Sequence, residues 1–142
     1  MQLRMPPRGR FSRSAVERAI EILGIEWDVQ IRWADAKQMR SPAHVGECES
    51  YDGKQRHVIK LRPGRSAAAT SKTLLHELGH AAHVEDHGSA AAWRRAYLDA
   101  TREYEDHADE IARCLRHLRL VVDAAPSQQR RPLRWTRTGF AR

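Results

Sequence analysis

The segment His76-Glu77-Leu78-Gly79-His80 restricts the folds open to this chain more than any other stretch. On an α-helix, histidines four residues apart lie one turn apart on the same side. Both imidazoles can then reach a single metal ion, while Glu77, one step round, addresses water bound to it. The pattern asks for a helix that is buried on its apolar side, open on its histidine side and faced by another element that completes the ligand set. The flanking residues agree. Leu74, Leu75, Leu78, Ala81 and Ala82 supply an apolar face, and Gly79 lets a neighbouring backbone come close. Pro63-Gly64 ends the preceding segment, Ser66 or Thr70 can cap the helix, and the expected stop is near Gly88.

The elements before this helix follow from periodicity. Residues 14–23 place apolar side chains at helical spacing, with Ser14 able to cap the start and Gly24 to stop it. Residues 27–33 alternate apolar and polar side chains strictly, as a strand with one buried face does. A second strand is expected around 44–50 and a third over 57–62, joined by a turn at Tyr51-Asp52-Gly53-Lys54. The fold class expected is α+β: an N-terminal helix, a three-stranded, mostly antiparallel sheet, the active helix and C-terminal helices. Beyond Gly88, Ser89 is a cap for residues 90–97, and helical composition runs on to about Val122, with no proline until Pro126.

Two histidines and a base leave a catalytic zinc one ligand short, since such an ion takes three protein ligands and keeps a fourth position for water. The donor must come from downstream. Residues 103–110 hold the densest cluster of carboxylates and imidazole in the chain. Glu105 and Asp109 share a helical face there, so one carboxylate can bind metal while the other accepts a hydrogen bond from a ligating histidine. Ala108, between them, is small enough to let two helices approach. Glu105 ranks first as third ligand and Glu110 next, with His107 and Glu103 behind. His76, His80, His83 and His87 fall near one helical stripe, so His83 and His87 are either groups supporting the site or exposed histidines at a helix end.

The formal charge of +7 raises nucleic acid as a partner, and its distribution qualifies that. Nine of the 25 basic residues lie in segments 1–13 and 126–142, which contain no acid, leaving sixteen against eighteen acids over 14–125. The expected organisation is a basic flexible tail (1–13), one domain (14–125) and a basic C-terminal tail (126–142). Solvated ends are the simpler reading of the tails, with Trp135 among arginines a candidate for stacking on a base. At 142 residues and 41% hydrophobic the chain suits a single core. It has no membrane-length apolar run and no signal-like start, so a cytoplasmic location is expected. Cys48 and Cys114 lack the spacing of a disulfide framework or a thiolate metal site.

At His76–His80 and at Glu105-Asp106-His107-Ala108-Asp109-Glu110-Ile111-Ala112-Arg113-Cys114-Leu115 the chain resembles the gluzincin zinc metallopeptidases, and most of all the ImmA/IrrE family. That family pairs an HELGH-type helix with a later E-x-E-A-N-x-F-A-x-x-L-L helix. The first element matches completely. The second keeps the first glutamate, the alanine, an aspartate for the asparagine, an apolar residue with its alanine, and the leucine. It also fits the broader ExxAD pattern. His107 departs where the family carries a second glutamate, and the family's Leu-Met-Pro ending is missing after Leu115. The resemblance implies a zincin-like domain holding one Zn²⁺ on His76, His80 and Glu105, with Glu77 as catalytic base. It also implies hydrolysis of a protein substrate such as a repressor-like transcription factor. The strand 57–62, as the sheet edge nearest the active helix, would hold an extended substrate by β-addition. A second similarity, to SprT-type proteases, rests on His87-Gly88 followed by Trp93, where a later histidine completes the site. The rival from another class is a non-catalytic zinc-binding protein, or an adaptor for DNA or an acidic partner through its arginine tails.

Overall fold

The computed structural model describes residues 1–87 and 90–127. Gly88 and Ser89, expected to stop one helix and cap the next, lie outside the described residues, as does the basic segment 128–142 with Trp135. In chain order the elements are β1 (Leu3–Arg4), β2 (Arg10–Phe11), α1 (Arg13–Leu23), β3 (Asp28–Trp33), β4 (Gly46–Tyr51), β5 (Arg56–Leu61), α2 (Ala67–Asp86), α3 (Ala90–Cys114) and β6 (Val121–Asp123). The result is a small α+β domain with three helices and a mixed sheet. No helix among the described residues is long and apolar enough to cross a membrane.

The sheet departs from the expected three antiparallel strands. It has four, in the order β1-β3-β5-β4, with β1, β3 and β5 parallel and only β4 antiparallel. The cause is the connection 34–45, which carries the chain past the neighbouring position to the outer edge. The turn after Tyr51 then folds β5 back between β4 and β3, parallel to β3. As an interior strand β5 is buried from His57 to Leu61, whereas β3 alternates, with Val29 and Ile31 inside.

The N-terminal segment, expected as a flexible basic tail, is part of the fold. Leu3 is buried and pairs with Val29, and the Gln2 amide donates to Asp28 Oδ1 at 2.7 Å. Further on, Arg10 and Phe11 pair with Asp123 and Val121 of β6, and the Ser12 amide donates to the Leu120 carbonyl at 2.8 Å. Apolar side chains interleaved with the arginines explain the difference: Leu3, Met5 and Phe11 pack into or against the core while Arg4, Arg8 and Arg10 stay exposed.

Helix α1 is capped one turn-step earlier than expected, at Ser12, whose hydroxyl accepts from the Ala15 amide, and it ends at Gly24 with φ 69°. The last helix also stops earlier, at Cys114 instead of near Val122. Ser71 of α2 draws the following chain inward, because its hydroxyl donates to the Leu118 carbonyl and accepts from the Leu120 amide. Leu120 and Val121 are thereby buried and continue into β6.

Helix α2 runs through the middle of the domain. Ser66 caps its start by accepting from the Ala69 amide at 3.1 Å. Leu74, Leu75, Leu78, Ala81 and Ala82 are buried against Val29, Ile31, Ile59 and Leu61 of the sheet and Val16 and Ile20 of α1. Near its far end, Glu85 accepts from the amides of Glu26 and Trp27 and from Nε2–H of the buried His57, the last at 2.6 Å. Ser50 completes that imidazole at Nδ1, 2.8 Å away, and Trp27 stacks on it.

Candidate metal centre

Helices α2 and α3 form an antiparallel hairpin, and the residues singled out by their spacing meet where the two cross. His76 and His80 stand edge to face, with their Nε2 atoms 3.2 Å apart. From α3, Glu105 places Oε2 3.2 Å from His76 Nε2 and Oε1 3.5 Å from His80 Nε2. Donor atoms about 2.0–2.1 Å from a tetrahedral ion stand about 3.3 Å apart, which is close to the separation of the two Nε2 atoms and of each from its nearer Glu105 oxygen. A group of two histidines and a carboxylate in this geometry could hold a metal ion.

Asp109 sits one turn beyond Glu105 and contacts the other side of the same ring, with Oδ1 3.0 Å from His76 Nδ1. A carboxylate only accepts, so Nδ1 donates to Asp109, and with an ion in place Nε2 would be left as the ligating atom. His80 has no such support, as its Nδ1 is buried without a hydrogen-bond partner. Burial and the neighbouring His80 push the His76 pKa down. For His80, burial acts against the charged form, but the Glu105 hydrogen bond and the charges of Glu77, Glu105 and Asp109 carry its pKa up. Glu105 is held below the ordinary carboxylate range, chiefly by its hydrogen bond with His80.

Glu77 is 5% exposed and points towards the start of β4. Burial raises its pKa from 4.5 to about 7, with Glu105 and Glu47 adding to the rise and His80 opposing it. The backbone at Gly46 passes close to this carboxylate: a Cβ there would lie 3.1 Å from Glu77 Oε2 and 2.5 Å from Thr73 Cγ2.

These groups open onto a cleft of about 1140 Å³ walled by the first half of β4, by α2 and by α3. Arg40, Arg65, Lys72, Arg113, Arg116 and Arg119 also line it, so a basic rim surrounds an acidic floor. The strand expected at the cleft, residues 57–62, is not there. Being interior it has no free edge, and β4 takes that place because the 34–45 connection delivers it to the outside of the sheet. The contribution of β4 is what sequence reasoning missed. Glu47, for instance, is buried at the cleft with Oε2 accepting from the Arg40 amide and His44 Nδ1–H. A short strand with two glutamates carries no pattern that would have marked it.

The remaining candidates for third ligand go elsewhere. Glu103 groups with His83 and His87 on the next turns of the hairpin. His107 packs its ring on His83 with centroids 4.6 Å apart, and Glu110 is exposed beside the same hollow. His83 is buried, and its pKa is pushed down to about 4 by that burial and by the neighbouring histidines. His87, the histidine that a SprT-like reading would bring to the centre, thus belongs to a separate cluster. No protein-family profile, curated protein or solved structure matches the chain.

Proposed function

We propose that the chain is a zinc-dependent peptidase of the gluzincin type, most like the ImmA/IrrE family, with His76, His80 and Glu105 holding one Zn²⁺ and Glu77 acting as base. The observation that supports this most directly is the convergence of the two Nε2 atoms, 3.2 Å apart, on the Glu105 carboxylate, which meets His76 with Oε2 at 3.2 Å and His80 with Oε1 at 3.5 Å. Two imidazoles and one carboxylate suit zinc, and three protein donors leave a position for water as catalytic sites do, whereas structural sites are closed by four. A zinc ion held there supplies a Lewis acid that lowers the pKa of water and polarises a carbonyl.

The chain's own residues do the rest. Glu77 takes the proton of the attacking water on a carboxylate oxygen and returns it to the departing amine nitrogen. Asp109 fixes the tautomer and orientation of His76. Strand β4, at the outer end of the sheet and along the cleft, offers backbone groups to an extended polypeptide, and the basic rim favours a substrate with acidic side chains. A repressor-like regulator is the protein substrate that the resemblance suggests, and a cytoplasmic location goes with it.

Incubation with a quenched-fluorescence peptide library separates this reading from that of a non-catalytic zinc protein. Glu77→Gln is expected to bind zinc like the parent and lose cleavage by at least about a hundredfold, the scale of a missing general base. Equal cleavage by the two proteins would remove the catalytic assignment.

A further inference from the structure

The α2–α3 hairpin carries a second donor cluster nearer its connection, and nothing in the proposed reaction uses it. We propose that His83, His87 and Glu103 form a second metal site, for a borderline divalent transition ion such as Zn²⁺, that fastens the connected end of the hairpin.

The cluster repeats the arrangement of the first centre. There, His76 and His80 on α2 face Glu105 and Asp109 on α3; here, His83 in the last turn of α2 and His87, which caps its end, meet Glu103 and His107 of α3, each pair again four residues apart. One ligating atom from each of His83, His87 and Glu103 lies within 4.8 Å of the others. The rings of His83 and His87 have centroids 4.3 Å apart, and His107 lies against the opposite side of the cluster at 4.6 Å from His83.

A separate observation calls for a ligand. His83 is 5% exposed and its Nε2 is buried without a hydrogen-bond partner, as is Nε2 of His107. Buried polar nitrogens are ordinarily paired, and two unpaired ones in touching rings beside a hollow want something to bind. That hollow, about 760 Å³, is lined by His83, Glu103 and His107, with the carboxylates Asp106 and Glu110 offsetting the charges of Arg102 and Arg113, and His87 lies outside its lining. Imidazole-rich sets select zinc, nickel, cobalt or copper over magnesium and calcium. The two exposed donors, His87 and Glu103, can rotate to adjust their distances to an ion while buried His83 stays fixed.

An ion here would tie the last turn of α2 to α3 across the connection, and so hold the register that brings Glu105 to the first centre. It needs no assumption about catalysis.

Zn²⁺ titration by calorimetry tests the site in His76→Ala/Glu105→Ala, where the first centre is disabled. One equivalent should remain, and adding His87→Ala and Glu103→Ala, both at exposed positions, should weaken it at least tenfold without altering the far-UV circular dichroism. Zn²⁺ should also raise Tm of the first variant and not of the second. If His76→Ala/Glu105→Ala binds no zinc, or binds it equally well after the second pair of substitutions, the second site does not exist. A parent that binds one equivalent sensitive only to His87 and Glu103 would instead remove the first centre and keep the second.

Discussion

Gly79 and Ala108 touch where α2 crosses α3: a Cβ built on Gly79 would lie 2.8 Å from Ala108 Cα and 3.2 Å from its Cβ. This backbone-to-backbone contact sits between His76 and His80 on one helix and Glu105 and Asp109 on the other. It sets the distance across which the third donor reaches. Gly79→Ala must push α3 away, since the obstacle is main chain and not the tip of a flexible side chain. The helix propensity gained is about 1 kcal/mol, against about 1–3 kcal/mol for overpacking. Stability is expected to fall by about 1 kcal/mol in urea unfolding, while zinc affinity falls at least tenfold. An unchanged affinity would show that the crossing does not govern the site.

Asp109 contacts the centre through His76 Nδ1, and its charge also acts on His80. Asp109→Ala should leave the fold intact, because the side chain is half exposed, yet weaken zinc about 10–100-fold, as losing the carboxylate behind a ligating histidine does. Competition with a chromophoric chelator measures this. Asp109→Asn, which still accepts a hydrogen bond, should recover part of the loss.

The buried carboxyl of Glu77 gives the metal-free protein a pH dependence of known sign. Its folded pKa is about 7 against an ordinary 4.5, so between those values the fold holds a proton that the unfolded chain has released. Stability from this group is complete below about pH 4.5 and is lost as pH rises through 7. At pH 8 the cost approaches about 3.5 kcal/mol as an upper bound, from about 1.4 kcal/mol for each pH unit between the two values. With zinc removed by chelator, Glu77→Gln should therefore be more stable than the parent at pH 8 and differ little at pH 4.5. Parallel stability curves for the two proteins would place the pH dependence elsewhere.

Residues 1–12 belong to the domain. Leu3→Ala should cost about 2–3 kcal/mol, the range for truncating a buried leucine, and deleting 1–12 should cost more, because it removes β1, β2 and the Ser12 cap together. Arg4→Ala, exposed on the same strand, should be nearly neutral. Thermal melts of the three proteins compare them directly.

Local pattern made the helices and the centre legible. The four-residue spacing of the histidines, the apolar face of α2, the Ser66 cap, and the small residues Gly79 and Ala108 each carry their meaning within a few positions, and the structure brings them together. Sheet order was not legible in the same way. Strand parity depends on where the connection 34–45 lands, and periodicity says nothing of that. Charge also misled at the N-terminus, where the arginines of 4–10 obscured the apolar residues Leu3, Met5 and Phe11 between them. The wall supplied by β4 was invisible for a related reason: Glu47 and Gly46 matter through what packs beside them.

Ser66 fixes the start of α2, and Glu85 ties its last turn to the sheet through His57 and the amides of Glu26 and Trp27. A helix fastened at both ends serves as an anvil, so the two imidazoles keep their place and every adjustment at the centre falls to α3. Mild heat or denaturant should therefore separate the arms of the hairpin first. If the proposed function holds, the ion would leave while most of the backbone is still ordered, and loss of cleavage would run ahead of unfolding.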